Sequence, residues 1–84
     1  MKWFDARSRF PDRWLLIEAI QARSEDDHRI VEDLSVVSDF DDSKTAMRRY
    51  LELHKQDKQR EFYVAHTSRD SLDIEQRRWL GIRA

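Results

Sequence analysis

Residues 66–70 read His-Thr-Ser-Arg-Asp and follow the apolar run Phe62-Tyr-Val-Ala65. An imidazole, two hydroxyls, a guanidinium and a carboxylate within five positions are the ingredients of nucleophilic or general acid–base chemistry. Ser68 would be the nucleophile, His66 its base, and Arg69 an anion ligand beside the carboxylate of Asp70. A catalytic serine also needs an oxyanion hole, which hydrolases often build around a Gly-flanked elbow. The chain has one glycine, Gly81, far from Ser68. Thr67 and Asp70 have capping-box spacing, and Ser71 offers another local cap. The reading therefore leaves the catalytic set empty and keeps His66, Ser68, Arg69 and Asp70 as weak candidates.

A second chemical cluster lies at Asp39, Asp41 and Asp42, directly after the apolar Val36-Val37. Asp-x-Asp at a strand end resembles the opening motif of haloacid-dehalogenase-type phosphatases. The chain departs from that family in length, in sheet type and in carrying Ser43 after Asp42. A calcium loop starting at Asp39 would need Gly at its sixth position and Glu at its twelfth. Lys44 and Tyr50 stand there instead. Helix capping accounts for the same acids, with Asp41 as N-cap.

Of the three histidines, His54 and His66 are the metal-ligand candidates, but no His-x-x-x-His or Glu-x-x-His spacing supports either as a site. Phosphate-cradling glycine loops are missing. No metal and no cofactor is expected. Arg48, Arg49, Lys55, Lys58 and Arg60, with Arg77, Arg78 and Arg83 in the tail, could line a basic side for nucleic acid. The acidic region argues against that use. Residues 24–42 hold eight acids against the single base Arg29, a net of −7, while the whole chain is −1, leaving +6 elsewhere. Such asymmetry suits a basic partner, head-to-tail self-contact, or solvated loops and an acidic helix N-terminus.

These groups must be held by a small scaffold. A chain of 84 residues makes one domain, here 1–84, with a correspondingly small core. With no cysteine, disulfides and thiolate zinc sites are excluded, in keeping with a reducing cytoplasm. The start Met1-Lys-Trp-Phe-Asp-Ala-Arg has no apolar stretch of signal-peptide length, and no segment nears the roughly 20 apolar residues of a membrane span. A soluble, cytoplasmic protein with no membrane partner is expected.

Residues 1–12 read as an irregular arm broken by Pro11, weighted by Trp3, Phe4 and Phe10. The ββαβ core spans 13–67. Trp14 to Arg23 reads as the first strand, apolar on both faces: Trp14, Leu16, Ile20 and Ala22 against Leu15, Ile17 and Ala19. Ser24–His28 is a polar turn. Ile30 to Val37 is the second strand, with Ile30, Leu34 and Val36 opposite Val31, Asp33, Ser35 and Val37; these mixed faces suit an edge. A long helix follows, presenting Ala46, Met47, Tyr50, Leu51 and His54 on one face, with Leu53 at its margin. Glu61 to His66 is the third strand. In 68–84, Asp73 as cap, Gln76 and Gly81 predict a short C-terminal helix.

A polar turn makes the first pair an antiparallel hairpin, and the strand apolar on both sides belongs in the middle. The expected fold is α+β: a three-stranded antiparallel or mixed sheet, order 2-1-3, with a right-handed crossover. The long helix covers one face. The other needs Trp79, the N-terminal arm or a second subunit.

Pro11-Asp-Arg-Trp14 with Leu16-Ile17, then a hairpin, a helix and Phe62-Tyr-Val, resembles small prokaryotic domains of unknown function with a Trp-led first strand. The resemblance covers about residues 11–65, implies the ββαβ order and brings no activity with it. The expected function is that of a non-catalytic domain acting through homodimerisation or another protein. Trp3, Phe4, Trp79, Leu80 and Ile82 are the expected contact residues. A ligand site at the end of strand 3 and weak nucleic-acid binding are the alternatives.

Overall fold

The computed structural model describes residues 1–75. Two helices and four strands follow in the order α1 (Trp3–Arg9), β1 (Trp14–Glu25), β2 (His28–Phe40), α2 (Ser43–Gln56), β3 (Phe62–His66) and β4 (Asp73–Glu75). All strand pairs are antiparallel, and the sheet order is β3-β1-β2-β4. The fold is α+β and the expected 2-1-3 order holds. Among the described residues, no helix is long and apolar enough to cross a membrane.

β1 sits in the middle for the reason its sequence gives. Leu15, Leu16 and Ile17 are fully buried, two toward one face and one toward the other. Leu15 and Ile17 join Trp3, Ala6, Val31, Leu34, Ala65 and Leu72 in the main core. Leu16, Ala46 and Phe62 are buried on the α2 side.

Three register shifts rearrange the strand faces. The unpaired positions they create are Ile20 in β1 and Glu32 and Val37 in β2. A one-residue slip sends every following side chain to the other face. Ala22 consequently packs on the main core with Ala19, not with Leu16. Val31 likewise joins Leu34 and Val36. The bulged residues Ile20 and Val37 turn outward, at 57% and 39% exposure. Strict alternation assigned these residues to the wrong faces.

The arm is not irregular. Residues 3–9 form α1, and Trp3, Ala6 and Phe10 lie on its inner side at helical spacing. Lys2 gives no side-chain cap, so the local signal for a helix start is missing. Seven residues do not sustain a helix alone. Tertiary bonds hold this one: Trp3 Nε1 donates to the Arg69 carbonyl at 2.9 Å, and Arg7 Nε donates to the Thr67 carbonyl at 2.9 Å. α1 thereby covers the sheet face that the sequence left open. Phe10 bonds back to Ala6, and Pro11 ends the helix.

Two further corrections concern helix ends and the tail. The N-cap of α2 is Asp42, not Asp41; its carboxylate accepts the Thr45 N–H at 2.7 Å. Asp73 opens β4 instead of capping a helix, and it pairs with Ile30. β2 is therefore bordered by β4 along residues 28–30 and by the Met1 carbonyl at Leu34. The rest of the expected C-terminal helix, with Gln76, Trp79, Leu80, Gly81 and Ile82, lies outside the described residues.

The hairpin tip Asp26-Asp27 has both φ angles positive, 49° and 63°. This is the two-residue turn whose twist suits a hairpin, built here from aspartates in place of Asn-Gly.

Candidate functional site

The β1–β3 register sets Trp14 opposite His66, which brings the turn after α1 beside the turn after β3. Thr67 N–H donates to the Arg13 carbonyl, and the Arg13 N–H donates to the Thr67 hydroxyl, at 2.9 and 3.0 Å. Thr67 is buried by this exchange. It is the fastener that positions its neighbours, its hydroxyl oxygen accepting the Arg13 N–H.

His66 and Ser68 come together. Ser68 Oγ lies 2.9 Å from His66 Nδ1, and the Ser68 backbone N–H donates to the same nitrogen at 3.1 Å. A backbone N–H can only donate, so Nδ1 carries the lone pair and Nε2 carries the ring proton. That Nε2 faces Asp12 Oδ1 at 3.5 Å. Asp12 holds a left-handed backbone, φ 56°, which asparagine and aspartate tolerate better than most residues. Trp14 packs edge-on against the imidazole, centroids 5.1 Å apart and planes at 74°, and fixes its plane.

A cleft of about 390 Å³ opens beside this line, walled by Phe4, Arg7, Ser8, Pro11, Asp12, Thr67 and Ser68. The sequence reading named Ser68 but missed Asp12 and Arg7. The strand order was their only signal: β3 beside β1 places residues 11–13 next to residues 67–69. Asp70 reaches only an exposed pair with Arg7 at 3.6 Å, which is worth little in water. Arg69 contributes its carbonyl to Trp3, and its N–H donates to the His66 carbonyl.

The acids of 24–42 are drawn into ion pairs along the hairpin and helix start. Arg13 binds Asp39 at 2.9 Å and also Asp41. Arg23 pairs with Glu25 and Glu32, and Asp33 with the amino terminus. No group of three or more metal-ligand side chains occurs among the described residues. His54 stacks on Tyr50 within α2, centroids 5.7 Å apart, away from His66.

A polar network ties β2 to β3 across β1. Arg29 binds Glu61 through both Nε and Nη2, at 2.7 and 2.8 Å, and the Tyr63 hydroxyl donates to the same carboxylate. The Arg29 bonds hold the Glu61 carboxyl below its usual range. Burial, then the hydrogen bond to Glu61, push the Tyr63 phenol above its ordinary value.

The expected contact residues separate. Trp3 is buried in the chain's own core, while Phe4 is 73% exposed at the mouth of the cleft. Trp79, Leu80 and Ile82 lie outside the described residues. A second apolar surface, missed in the sequence, lies on the β3 side of α2. Met47 and Leu51 were assigned to the helix's inner face, yet they are 43% and 54% exposed. Between α2 and β3 runs a groove of about 200 Å³ lined by Met47, Tyr50, Phe62, Tyr63 and Val64.

Comparison of the chain with protein-family models, with curated proteins and with solved structures gave no match.

Proposed function

We propose that this chain is a contact domain that works as a homodimer, joined through the outer edge of β3 and the adjoining side of α2. The observation that carries the reading is the coincidence of an open strand edge with an exposed apolar helix side. Ala19 bonds to Glu61 and Thr67 to Arg13, so odd-numbered residues of β3 bond inward to β1. In an antiparallel pair the alternate residues then point their N–H and C=O groups outward. Here those are both groups of Phe62 and Val64 and the N–H of His66, whose carbonyl already accepts from Arg69. Among the described residues no strand pairs with that edge. An open edge invites a further strand.

A second copy fits because the surface is self-complementary about Val64. Strand 3 of each copy would run antiparallel to the other, as a two-fold axis requires. Both α2 helices would then lie on one face of a continuous sheet. Half a strand spacing from the axis to β3, and half again to α2 above β3 and β1, gives helices about 10 Å apart. Packed helices lie about 8–10 Å apart. Met47 and Leu51 of the two copies would meet there. The facing strip, Met47, Tyr50, Leu51, Phe62 and Val64, carries no formal charge, so symmetry opposes no like charges within it.

The contact is small. α2 is about 21 Å long, and the shortest extent of the molecule is 20 Å. Each copy thus offers about 400 Å² of flat area, at the low end of specific interfaces. The dimer is accordingly weak, in the micromolar range or above.

Sedimentation velocity across concentration tests it. The mean mass should climb from the monomer's 10.3 kDa toward twice that value. Leu51→Glu removes about 1 kcal/mol of apolar burial from each copy, so Kd should rise about 30-fold. Val64→Pro removes only an outward N–H and should block association with the fold intact. A monomer at every concentration refutes the homodimer; a dimer that ignores both substitutions refutes the surface.

A further inference from the structure

We infer that Ser68 is an activated nucleophile for small, uncharged carboxylic esters, with His66 as its base, Asp12 as the residue that orients the base, and Arg7 facing the carbonyl oxygen. This activity does not rest on the homodimer: its groups gather at the C-terminal end of β3, where His66 closes the strand.

The recognisable arrangement of an activated nucleophile is a hydroxyl within hydrogen-bond reach of a base that a third group orients. Ser68 Oγ to His66 Nδ1 is 2.9 Å, and His66 Nε2 to Asp12 Oδ1 is 3.5 Å. The second distance is long and the Asp12 side chain is 96% exposed, so Asp12 orients the ring firmly only once substrate closes the site, as catalytic contacts often tighten on binding. A plain turn would account for the Ser68 N–H on Nδ1. It would not require an aspartate held left-handed at the opposite ring nitrogen, or a cleft against the serine. Relative to the familiar serine triad the ring nitrogens exchange roles. The proton path is unchanged, because imidazole can accept at either nitrogen while the other holds its proton toward a carboxylate.

The cleft sets the substrate class. Its volume of about 390 Å³ lies at the small end of ligand sites. Phe4 provides an exposed apolar wall for a short acyl chain. Asp12 and Asp70 near the opening oppose an anionic acyl group. Arg7 is oriented by its bond to the Thr67 carbonyl, and its guanidinium is the charge available to a developing oxyanion.

The reaction balances with water alone. Ser68 Oγ bonds to the ester carbonyl carbon as its proton passes to His66 Nδ1. The tetrahedral oxyanion collapses, the carbon–alkoxy bond breaks, and the leaving alkoxide takes the proton from Nδ1. Water then attacks acyl-Ser68 with His66 again as base, releasing the acid and restoring the hydroxyl.

The test uses the full chain with p-nitrophenyl butyrate and a fluorophosphonate probe, followed by peptide mass spectrometry. The probe should mark Ser68. Ser68→Ala should abolish the mark and lower ester hydrolysis about 100-fold, while Ser71→Ala, three residues on and outside the cleft, should behave as wild type. Asp12→Asn should lower kcat about 10-fold and leave KM unchanged. Ser68 is exposed, and an unchanged circular dichroism spectrum would confirm that its variant is folded. An unmarked wild type, a mark on another residue, or equal hydrolysis by Ser68→Ala would overturn the inference.

Discussion

Replacing Trp3 by alanine tests whether α1 belongs to the core. Trp3 is 7% exposed, touches the main core and bonds to the Arg69 carbonyl. Truncating a buried Trp to Ala costs about 3–5 kcal/mol. A domain of this length has about 4–13 kcal/mol to lose, at the usual stability per residue. Trp3→Ala should therefore remove between about a quarter and all of the stability. Trp3→Phe keeps most of the ring, loses the Nε1 bond, and should cost about 1–2 kcal/mol. Phe4→Ala, one residue along and 73% exposed, should fall within about 0.5 kcal/mol of wild type. Urea unfolding followed by circular dichroism measures all three, and the slope should stay constant where the fold is kept. A Trp3→Ala loss below about 1 kcal/mol, or one equal to that of Phe4→Ala, would refute the placement of α1. So would a variant of full stability that loses only self-association, because Trp3 would then be an interface residue.

Two further outcomes follow from the polar contacts. Arg29 holds the Glu61 carboxyl below its ordinary value of 4.5, so this contribution is complete above about pH 4.5 and disappears as pH falls through the lowered value. Glu61→Gln should be less stable at neutral pH and show a flatter acid limb below about pH 4.5; melting temperatures that run parallel to wild type would contradict this. Asp42→Ala should lose about 1 kcal/mol by uncapping α2, whereas Asp41→Ala gives up only an exposed pair and should lose less than about 0.5 kcal/mol. Urea midpoints that rank these two the other way round would return the cap to Asp41.

The strand order could be read from the sequence because one strand, Trp14 onward, has apolar residues at both parities, and burial on two faces follows directly. The long helix was legible from its spacing. Ala22 and Val31 were assigned to the wrong faces, and the exposure of Ile20 and Val37 was missed, because a bulge has no signature in an alternating pattern; it appears only when two strands are paired. α1 was missed because nothing caps it and its stability comes from residues 67 and 69. The same separation hid half of the site. His66 and Ser68 are two apart and visible at once. Asp12 reaches them only through the register of β1 on β3. Met47 and Leu51 looked like inner-face residues because the helical stripe is wider than the surface the sheet offers to α2.

The clasp between Trp3 and Arg69 has a consequence for how the chain emerges during synthesis. Its two ends are 66 residues apart, and translation at about 5–20 residues per second separates them by about 3–13 s. α1 is thus made 66 residues before the segment that fastens it. Until residue 69 is clear, Leu15, Ile17 and Leu34 lack their cover, and the hairpin waits with one oily side bare. A nascent-chain chaperone has its opportunity in that interval, and a pause in translation between residues 40 and 69 would prolong it.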